Sequence, residues 1–210
     1  GVPVPAQRVV ATEDDAVAAA RVIGFPVALK GMARALVHKS DAGAVALGLG
    51  DEAELRAAWR RVRANVRTRA GIEIEGAVVA AMARGEAELI LGLRRDAQFG
   101  AMVLAGFGGV FTELVADTAI AEAPVAPATA RAMLEGLRLW PLLAGARGRA
   151  KLDVAAVVDA VVRLSWLGHD LGPRLVELAV TPLLVGPEGV VAVAARATLA
   201  ESISSPPQRY

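Results

Sequence analysis

A short polar segment between two apolar runs carries the side chains best suited to chemistry. Residues 38–41 read His-Lys-Ser-Asp and include one of only two histidines in the chain. Apolar runs at residues 26–30 and 44–49 flank this segment, an order typical of two strands joined by a long connection. Lys30 ends the first run, where its long side chain can reach a phosphate group. A plain turn needs none of these groups, so residues 38–41 form a candidate functional loop.

Helix signals on both sides of this loop predict two helices that hold it. Thr12 and Asp51 are good N-cap residues, and the helix that Thr12 begins is predicted to end at Ile23, before Gly24. Trp59 falls on the apolar face of the second helix and is predicted to pack in the core. The surrounding arginines are predicted to form a solvated face, with a basic docking patch as the alternative: Arg56, Arg60, Arg61 and Arg63.

Beyond residue 70 the pattern changes to closely spaced strands. Strands are predicted at residues 72–82, 86–93, 102–105, 110–115, 118–123, 174–180 and 189–195. Helices are predicted at about residues 127–139 and 153–169. Strands at this density, after a helix and strand opening, favour an antiparallel α+β fold.

These motifs resemble the ATP-grasp lobe of the NDP-forming acyl-CoA synthetases. This family includes the ADP-forming acetate–CoA ligases and is related to the succinyl-CoA synthetase β subunits. Its pattern is roughly G-[YF]-P-V-x-L-K followed by H-K-S-D-x-G-G-V. The chain reads Gly24-Phe25-Pro26-Val27, Leu29-Lys30 and His38-Lys39-Ser40-Asp41, with Ala44 in place of the second glycine.

The resemblance runs through almost the whole chain and implies its architecture. It implies an α+β ATP-grasp fold over residues 1–201, with a small lid lobe at about 11–70 and a larger, mostly antiparallel sheet lobe at about 71–201. Residues 202–210 are expected to form a flexible tail. The chain begins without methionine, so we expect it to be cut from a longer chain or processed.

The resemblance also implies which residues contact the nucleotide. ATP-grasp folds hold ATP or ADP between two sheets, and Lys30 would neutralise its phosphates. Glu88 matches a glutamate that faces the nucleotide, and Met82 lies at the interlobe hinge. Alanines at positions 80 and 81 stand where the family has Gln or Glu before that methionine, so one adenine contact is missing. The turn containing Gly108 and Gly109 resembles the family's GxGG block and is interpreted as a fold signature with a phosphate-side role.

Two further motif residues concern phosphate transfer. By resemblance, His38 relays phosphate from a phosphohistidine on the CoA-binding part to ADP, because imidazole is a good nucleophile at neutral pH. Asp41 or Ser40 would orient the ring, and the alternative is an exposed loop histidine with no role. Arg147 matches a family loop and would contact a phosphate or the CoA-side partner domain. An ion pair with a nearby carboxylate is the alternative for Arg147.

The last third departs from the family at the magnesium site. The family reads E-L-[DE]-[IV]-N-P-L and then V-D-A-R, and its Asn and second Asp hold Mg²⁺. Here Thr181 replaces the asparagine, Ala194 replaces that aspartate, and Ala179 replaces the acidic residue two before position 181. Magnesium requires oxygen ligands in a near-octahedral shell, and alanine supplies none. We therefore expect the side-chain metal ligands to be missing.

Composition excludes several other classes of protein. The chain has 23 basic and 22 acidic residues, a balance that gives no electrostatic reason to propose a nucleic-acid partner. It has no cysteine, which excludes disulfides and is compatible with the cytoplasm, where we expect the protein. No stretch reads as a transmembrane helix, so no membrane partner is predicted. The longest candidate, residues 97–112, is too short and contains four glycines.

Two functions follow from the motifs that are kept and lost. The first is the nucleotide-binding part of an NDP-forming acyl-CoA synthetase, impaired by the missing metal ligands. It would need a CoA-binding half on the same longer chain or on a separate subunit. The second is a catalytically degenerate ATP-grasp domain with a regulatory or structural role in a larger protein, such as a bacterial protein acetyltransferase. The acyl substrate cannot be inferred, because its site in this family lies mainly on the other half.

Overall fold

The computed structural model describes residues 1–36, 39–109, 116–148 and 150–200. The described chain forms two compact units, one of residues 5–83 and one of residues 1–4 together with the residues from 84 onward. We call them the small unit and the large unit. The predicted strand at residues 110–115 lies outside the described residues.

The small unit is a four-stranded antiparallel sheet packed against two helices. Its strands are β1 (Gln7–Val10), β2 (Val27–Met32), β3 (Val45–Leu49) and β4 (Gly76–Ala81), in the spatial order β1-β4-β2-β3. Its helices are α1 (Glu13–Ile23) and α2 (Glu52–Ala70). The apolar core of the small unit lies between this sheet and the two helices.

The caps of both helices confirm the sequence prediction. The Thr12 hydroxyl accepts the Asp15 N–H at 3.1 Å, and the Asp51 carboxylate accepts the Glu54 N–H at 2.8 Å. Each bond satisfies a backbone donor that a helix N-terminus leaves without a partner. Trp59 is 8% exposed and packs in the core, as predicted. Arg56 pairs with Glu13 and Asp14, so part of the predicted solvated face is bound to α1.

The large unit is a six-stranded antiparallel sheet covered by helices on one face. Its strands are β5 (Ala87–Asp96), β6 (Gly100–Phe107), β7 (Thr118–Glu122), β8 (Leu175–Gly186), β9 (Gly189–Ala192) and β10 (Ala195–Leu199). The order is β10-β8-β5-β6-β7, and β9 also pairs with β8. The helices are α3 (Pro127–Glu135), α4 (Trp140–Ala144) and α5 (Val154–Leu171).

Alternation along the strands divides this sheet into a buried and an open face. Leu89, Leu91 and Leu93 of β5 are at most 2% exposed and pack in the core with α3 and α5. The residues between them, Ile90 and Gly92, point to the opposite face because side chains alternate along a strand. Glu88, two residues before Ile90, also lies on this open face.

Three predicted elements differ from the structure. The helix expected over residues 127–139 ends at Glu135, and α4 is separate from it, because the Asp117 carboxylate accepts the N–H groups of Arg138 and Leu139. The strand expected to end at residue 180 continues to Gly186, paired with β5 and then β9. The strand expected at residues 189–195 is two strands, β9 and β10. In the described parts of the chain, no helix combines the length and hydropathy needed to cross a lipid bilayer.

Candidate functional site

Lys30 lies within the central strand of the small unit. It belongs to β2, where it is opposite Val45 of β3 and Val78 of β4, and the strand continues two residues beyond it. Its side chain is half-buried. Burial lowers the pKa of Lys30 below the ordinary value of 10.5, and the positive charge of Lys39 lowers it further. A half-buried cation in the middle of a sheet is suited to hold an anion.

The turn of residues 39–43 leads from the polar loop into β3. The Ala44 N–H donates to the Lys39 carbonyl at 2.8 Å, and the Gly43 N–H donates to the Ser40 carbonyl at 2.9 Å. Asp41 is exposed, and its carbonyl accepts the Arg69 guanidinium at 3.4 Å. His38 lies outside the described residues, so the relay assigned to it by resemblance stays a prediction.

Met82 follows β4 and is partly buried. Its sulfur accepts the Gly48 N–H at 3.3 Å, and its own N–H donates to the Pro26 carbonyl at 3.4 Å. The two contacts tie the end of β4 to β3 and to the residue before β2. Met82 is thus held at one end of the small sheet, and its contact with adenine stays a prediction.

Glu88 lies on the open face of the large sheet, beside a glycine turn. The Gly108 N–H donates to the Glu88 carbonyl at 2.8 Å. Gly109 has a φ of 62°, and a Cβ there would lie 2.9 Å from Glu88 Oε2. The positive φ favours glycine at position 109, and any larger residue would also displace the Glu88 carboxylate. The structure brings Glu88, Gly108 and Gly109 together.

Asp117 is a buried carboxylate that organises the chain behind this turn. It is 6% exposed and accepts the backbone N–H groups of Arg138 and Leu139 at 2.8 and 2.9 Å. The Asp117 carbonyl also accepts the Phe107 N–H at 3.2 Å. Each of the two carboxylate oxygens accepts one backbone N–H, so both donors have a partner where the chain turns toward α4. The role of Asp117 here is structural.

Two of the three positions that differ from the magnesium motif, Ala179 and Thr181, lie on β8, and Ala194 lies between β9 and β10. The Thr181 N–H donates to the Ala194 carbonyl at 3.0 Å, which places the two residues side by side. Ala179 is two residues before Thr181 on the same face of β8 and is opposite Arg196 of β10. The Arg196 guanidinium pairs with Glu177 at 3.5 Å. Alternation along β8 puts Glu177, Ala179 and Thr181 in a row on the open face.

A broad trough lies on this open face next to Ala179. Its volume is about 800 Å³, within the range of small-molecule sites. Ile90, Gly92 and Leu104 line it, together with the charged side chains of Arg94 and Glu177. Small residues at positions 92 and 179 leave the space open.

Two further expectations concern Arg147 and a metal site. Arg147 belongs to the short 3₁₀ helix Ala146–Gly148, and its side chain lies outside what the structure describes. Among the described residues, no three His, Cys, Asp or Glu side chains gather closely enough to hold a metal ion.

Asn65 of α2, which donates to the Gly43 carbonyl at 3.2 Å, was not identified from the sequence. Its position could have indicated a buried contact, because Asn65 is a polar residue next to the buried Val66 on an arginine-rich helix.

Comparison with known proteins gives the class of this fold and site. The family model for the ATP-grasp domain matches residues 1–199. The dinucleotide forming acetyl-coenzyme A synthetase 1 of Ca. Korarchaeum cryptofilum, solved in complex with coenzyme A, Ca-AMPCP and HgCl+, has a TM-score of 0.91 and 39% identity to this chain. The match covers 95% of this chain and 87% of that one.

Two curated relatives show how such domains occur in longer assemblies. The β subunit of acetate–CoA ligase [ADP-forming] II from Pyrococcus furiosus is 37% identical over 202 residues, which is 95% of this chain and 86% of the relative. The trans-feruloyl-CoA synthase FCS1 of an unknown prokaryotic organism is 38% identical over 197 residues, but the match covers only 28% of that synthase. This chain belongs to the ATP-grasp domain family and is homologous to the β subunit of the ADP-forming acetate–CoA ligases.

The comparisons confirm two of the sequence predictions. The resemblance to NDP-forming acyl-CoA synthetases is confirmed by the relatives, and the α+β ATP-grasp fold by the family model and the structural match.

Proposed function

We propose that this chain is the nucleotide-binding part of an ADP-forming acyl-CoA synthetase. The overall reaction would convert an acid, CoA and ATP into acyl-CoA, ADP and phosphate. The observation that carries the proposal is the placement of Lys30, the lysine of the family motif, half-buried in β2 beside the second cation Lys39. A compact ammonium group on a long stem neutralises phosphate oxygens well.

The remaining motif residues would serve phosphate transfer. A ring nitrogen of His38 would attack the phosphorus of a phosphohistidine on the CoA-binding half, and the partner's nitrogen–phosphorus bond would break. A terminal ADP oxygen would then take the phosphoryl group, which releases His38 and forms ATP, and the acyl-CoA direction reverses these steps. Asp41 or Ser40 would orient the ring, while Glu88, Met82 and the turn at Gly108 and Gly109 would contact the nucleotide. Arg147 would contact a phosphate or the partner half.

The partner would be a CoA-binding half, on the same longer chain or on a separate subunit. Both arrangements occur among the relatives, since one is a β subunit and another is a synthase of which this chain covers 28%. CoA itself would bind that half.

The side chains at the family's metal positions do not fit a magnesium site. The solved acetyl-coenzyme A synthetase holds Ca-AMPCP, so a divalent cation accompanies the nucleotide in that protein. Here Thr181 offers one hydroxyl, Ala194 and Ala179 offer no side-chain oxygen, and Glu177 is paired with Arg196. We therefore propose that the chain binds nucleotide without depending on a metal held by its side chains.

Calorimetric titration of ATP and ADP tests the proposal. The chain should bind both in EDTA, and added Mg²⁺ should change the affinity little. Lys30→Met should weaken binding by about ten- to a hundredfold, the size of a charge-assisted contact. Binding by the wild type should also weaken as pH rises, beginning below 10.5, because the lowered pKa makes Lys30 lose its proton early. The variant should lose the part of this pH dependence that comes from Lys30.

Lys151→Met is the matched control. Lys151 is exposed in the large unit, and its replacement removes the same charge from the whole chain. Equal affinities in the two variants would contradict the role of Lys30. Tight binding that disappears in EDTA would contradict the proposed independence from metal.

A second candidate function is favoured by alanine at position 194. A domain that has lost its metal ligands could bind nucleotide without turnover and serve as a regulatory or structural part of a larger protein. The two functions share the binding experiment above. They differ in turnover once the complete, longer protein is assayed for acyl-CoA.

A further inference from the structure

The turn of residues 39–43 is fastened to the helix beneath it. The Asn65 side-chain amide of α2 donates to the Gly43 carbonyl at 3.2 Å, in a partly buried position. Gly43 has a φ of 64°, and a Cβ there would lie 2.8 Å from Asn65 Nδ2. A side chain at position 43 would therefore force the Asn65 side chain to move, and the positive φ itself favours glycine. The Asn65 amide lies directly against the backbone of the turn, in the space that a side chain at position 43 would take.

The fastened turn places Lys39 beside the strand that carries Lys30. The Lys39 carbonyl accepts the Ala44 N–H at 2.8 Å, and the Ala44 carbonyl accepts the Gly31 N–H at 2.7 Å. These two bonds in series connect Lys39 to the residue after Lys30. Ala42 and Ala44 are buried, so the turn is also anchored by its apolar side chains. Burial is the larger cause of the lowered pKa of Lys30, and the positive charge of Lys39 lowers it further.

We propose that Asn65 is a positioning residue that holds the 39–43 turn so that Lys39 joins Lys30 as a second phosphate-binding cation. The ligand class is a chain of linked phosphates, such as the polyphosphate part of a nucleotide. This inference rests on the proposed function, because it extends the role given there to Lys30. Neither Asn65 nor Lys39 has a role in the motif reading.

The physical reason is the cost of bringing two like charges together. Two ammonium groups repel each other in the free protein, and a bound polyphosphate relieves that repulsion because it carries several negative charges. A loose turn would let Lys39 move away from Lys30 before the ligand arrives. When α2 holds the turn, the repulsion between the two ammonium groups is overcome during folding. The anion then binds two cations that are already in position.

A double-mutant cycle with tripolyphosphate in EDTA tests the inference. Lys39→Met and Asn65→Leu should each weaken binding by about three- to tenfold, the loss of one exposed charged contact. Asn65→Leu keeps a similar volume and no charge changes, so it acts on Lys39 only through the turn. In the Lys39→Met background, Asn65→Leu should have little further effect. The controls are Lys151→Met and Thr68→Leu, since Thr68 is exposed on the same helix.

A second readout separates positioning from general destabilisation. The pKa of Lys30, followed by NMR of its side chain, should rise toward the ordinary value in both Lys39→Met and Asn65→Leu. A helix that is merely loosened would not move that pKa in the same way as removal of the Lys39 charge. Thr68→Leu should leave it unchanged.

Three results would overturn the inference, and they are distinguishable from failure of the proposed function. Lys39→Met could bind tripolyphosphate as well as Lys151→Met, or Asn65→Leu could weaken binding equally in both backgrounds. The Lys30 pKa could also stay unchanged in Asn65→Leu. If the wild type binds ADP and Lys30→Met does not, any of these results overturns only the inference. If the wild type binds neither ADP nor tripolyphosphate, the proposed function fails as well.

Discussion

Thr181, Ala194 and Ala179 are neighbours in the folded chain. The Thr181 N–H donates to the Ala194 carbonyl at 3.0 Å, and Ala179 is opposite Arg196 of β10. Oxygen-bearing side chains at positions 179 and 181 would lie on the same face of β8, because side chains alternate along a strand. Position 194 would add a third from the adjoining segment.

The triple variant Thr181→Asn, Ala194→Asp and Ala179→Asp should strengthen binding of magnesium with nucleotide. Each new carboxylate adds a hard oxygen ligand, and the gain should be about 1–3 kcal/mol. Without metal the new carboxylates repel each other, so the melting temperature of the free protein should fall. Thermal unfolding with and without Mg²⁺ and ATP measures both effects.

The control for this variant is Thr181→Ser with Ala194→Gly, which adds no carboxylate. A triple variant that melts like the wild type and gains nothing from magnesium and ATP would contradict the prediction. It would mean that the backbone at these strands no longer presents side chains to a metal.

The β6 and β7 strands approach each other too closely at one point to admit a side chain. A Cβ at Gly106 would lie 2.6 Å from Thr118 Cγ2 and 2.7 Å from the Asp117 carbonyl oxygen. Asp117 is held by its own bonds to the N–H groups of Arg138 and Leu139, so this backbone has little freedom to retreat. Gly106 is thus a packing requirement of the sheet edge.

Gly106→Ala should destabilise the protein by about 1–3 kcal/mol, as expected for overpacking against backbone. Gly92→Ala is the matched control, because a Cβ at Gly92 would meet Leu104 Cβ at an ordinary 3.5 Å. That change should be neutral or stabilise slightly, since alanine restricts the unfolded chain. Urea unfolding of both variants measures the difference. Equal stabilities would contradict the close approach of β6 and β7.

The whole chain corresponds to most of a β subunit and to a minor part of the longer relative. It covers 86% of the Pyrococcus furiosus β subunit and 28% of the feruloyl-CoA synthase. If CoA binds the other half, as proposed, the reacting groups cannot meet on this chain alone. The proposed chemistry therefore depends on the assembly.

The purified chain should form no acetyl-CoA from acetate, ATP and CoA. Proximity of the two halves supplies much of the rate in such transfers, and one half is missing from the assay. Chromatographic detection of acetyl-CoA measures the product, with Lys30→Ala as the comparison. Acetyl-CoA that the wild type forms and Lys30→Ala does not would contradict this prediction.

Local patterns were enough to predict both helices of the small unit and the family to which the chain belongs. Thr12 and Asp51 cap their helices through residues only three positions away, so a short stretch of sequence contains the whole signal. Trp59 lies at helical spacing from other apolar residues, and this local pattern was enough to predict that it is buried. The motif at residues 24–45 is likewise contiguous.

Contacts between distant segments required the folded structure. The adjacency of Thr181 and Ala194, the bonds of Asp117 to residues 138 and 139, and the contact of Asn65 with Gly43 each join parts of the chain 13 or more positions apart. Strand register and helix docking produce these contacts, and neither leaves a local mark on the residues involved. The sequence therefore identifies Lys30 as a candidate cation, whereas the contact of Asn65 in α2 with the 39–43 turn is evident only in the folded chain.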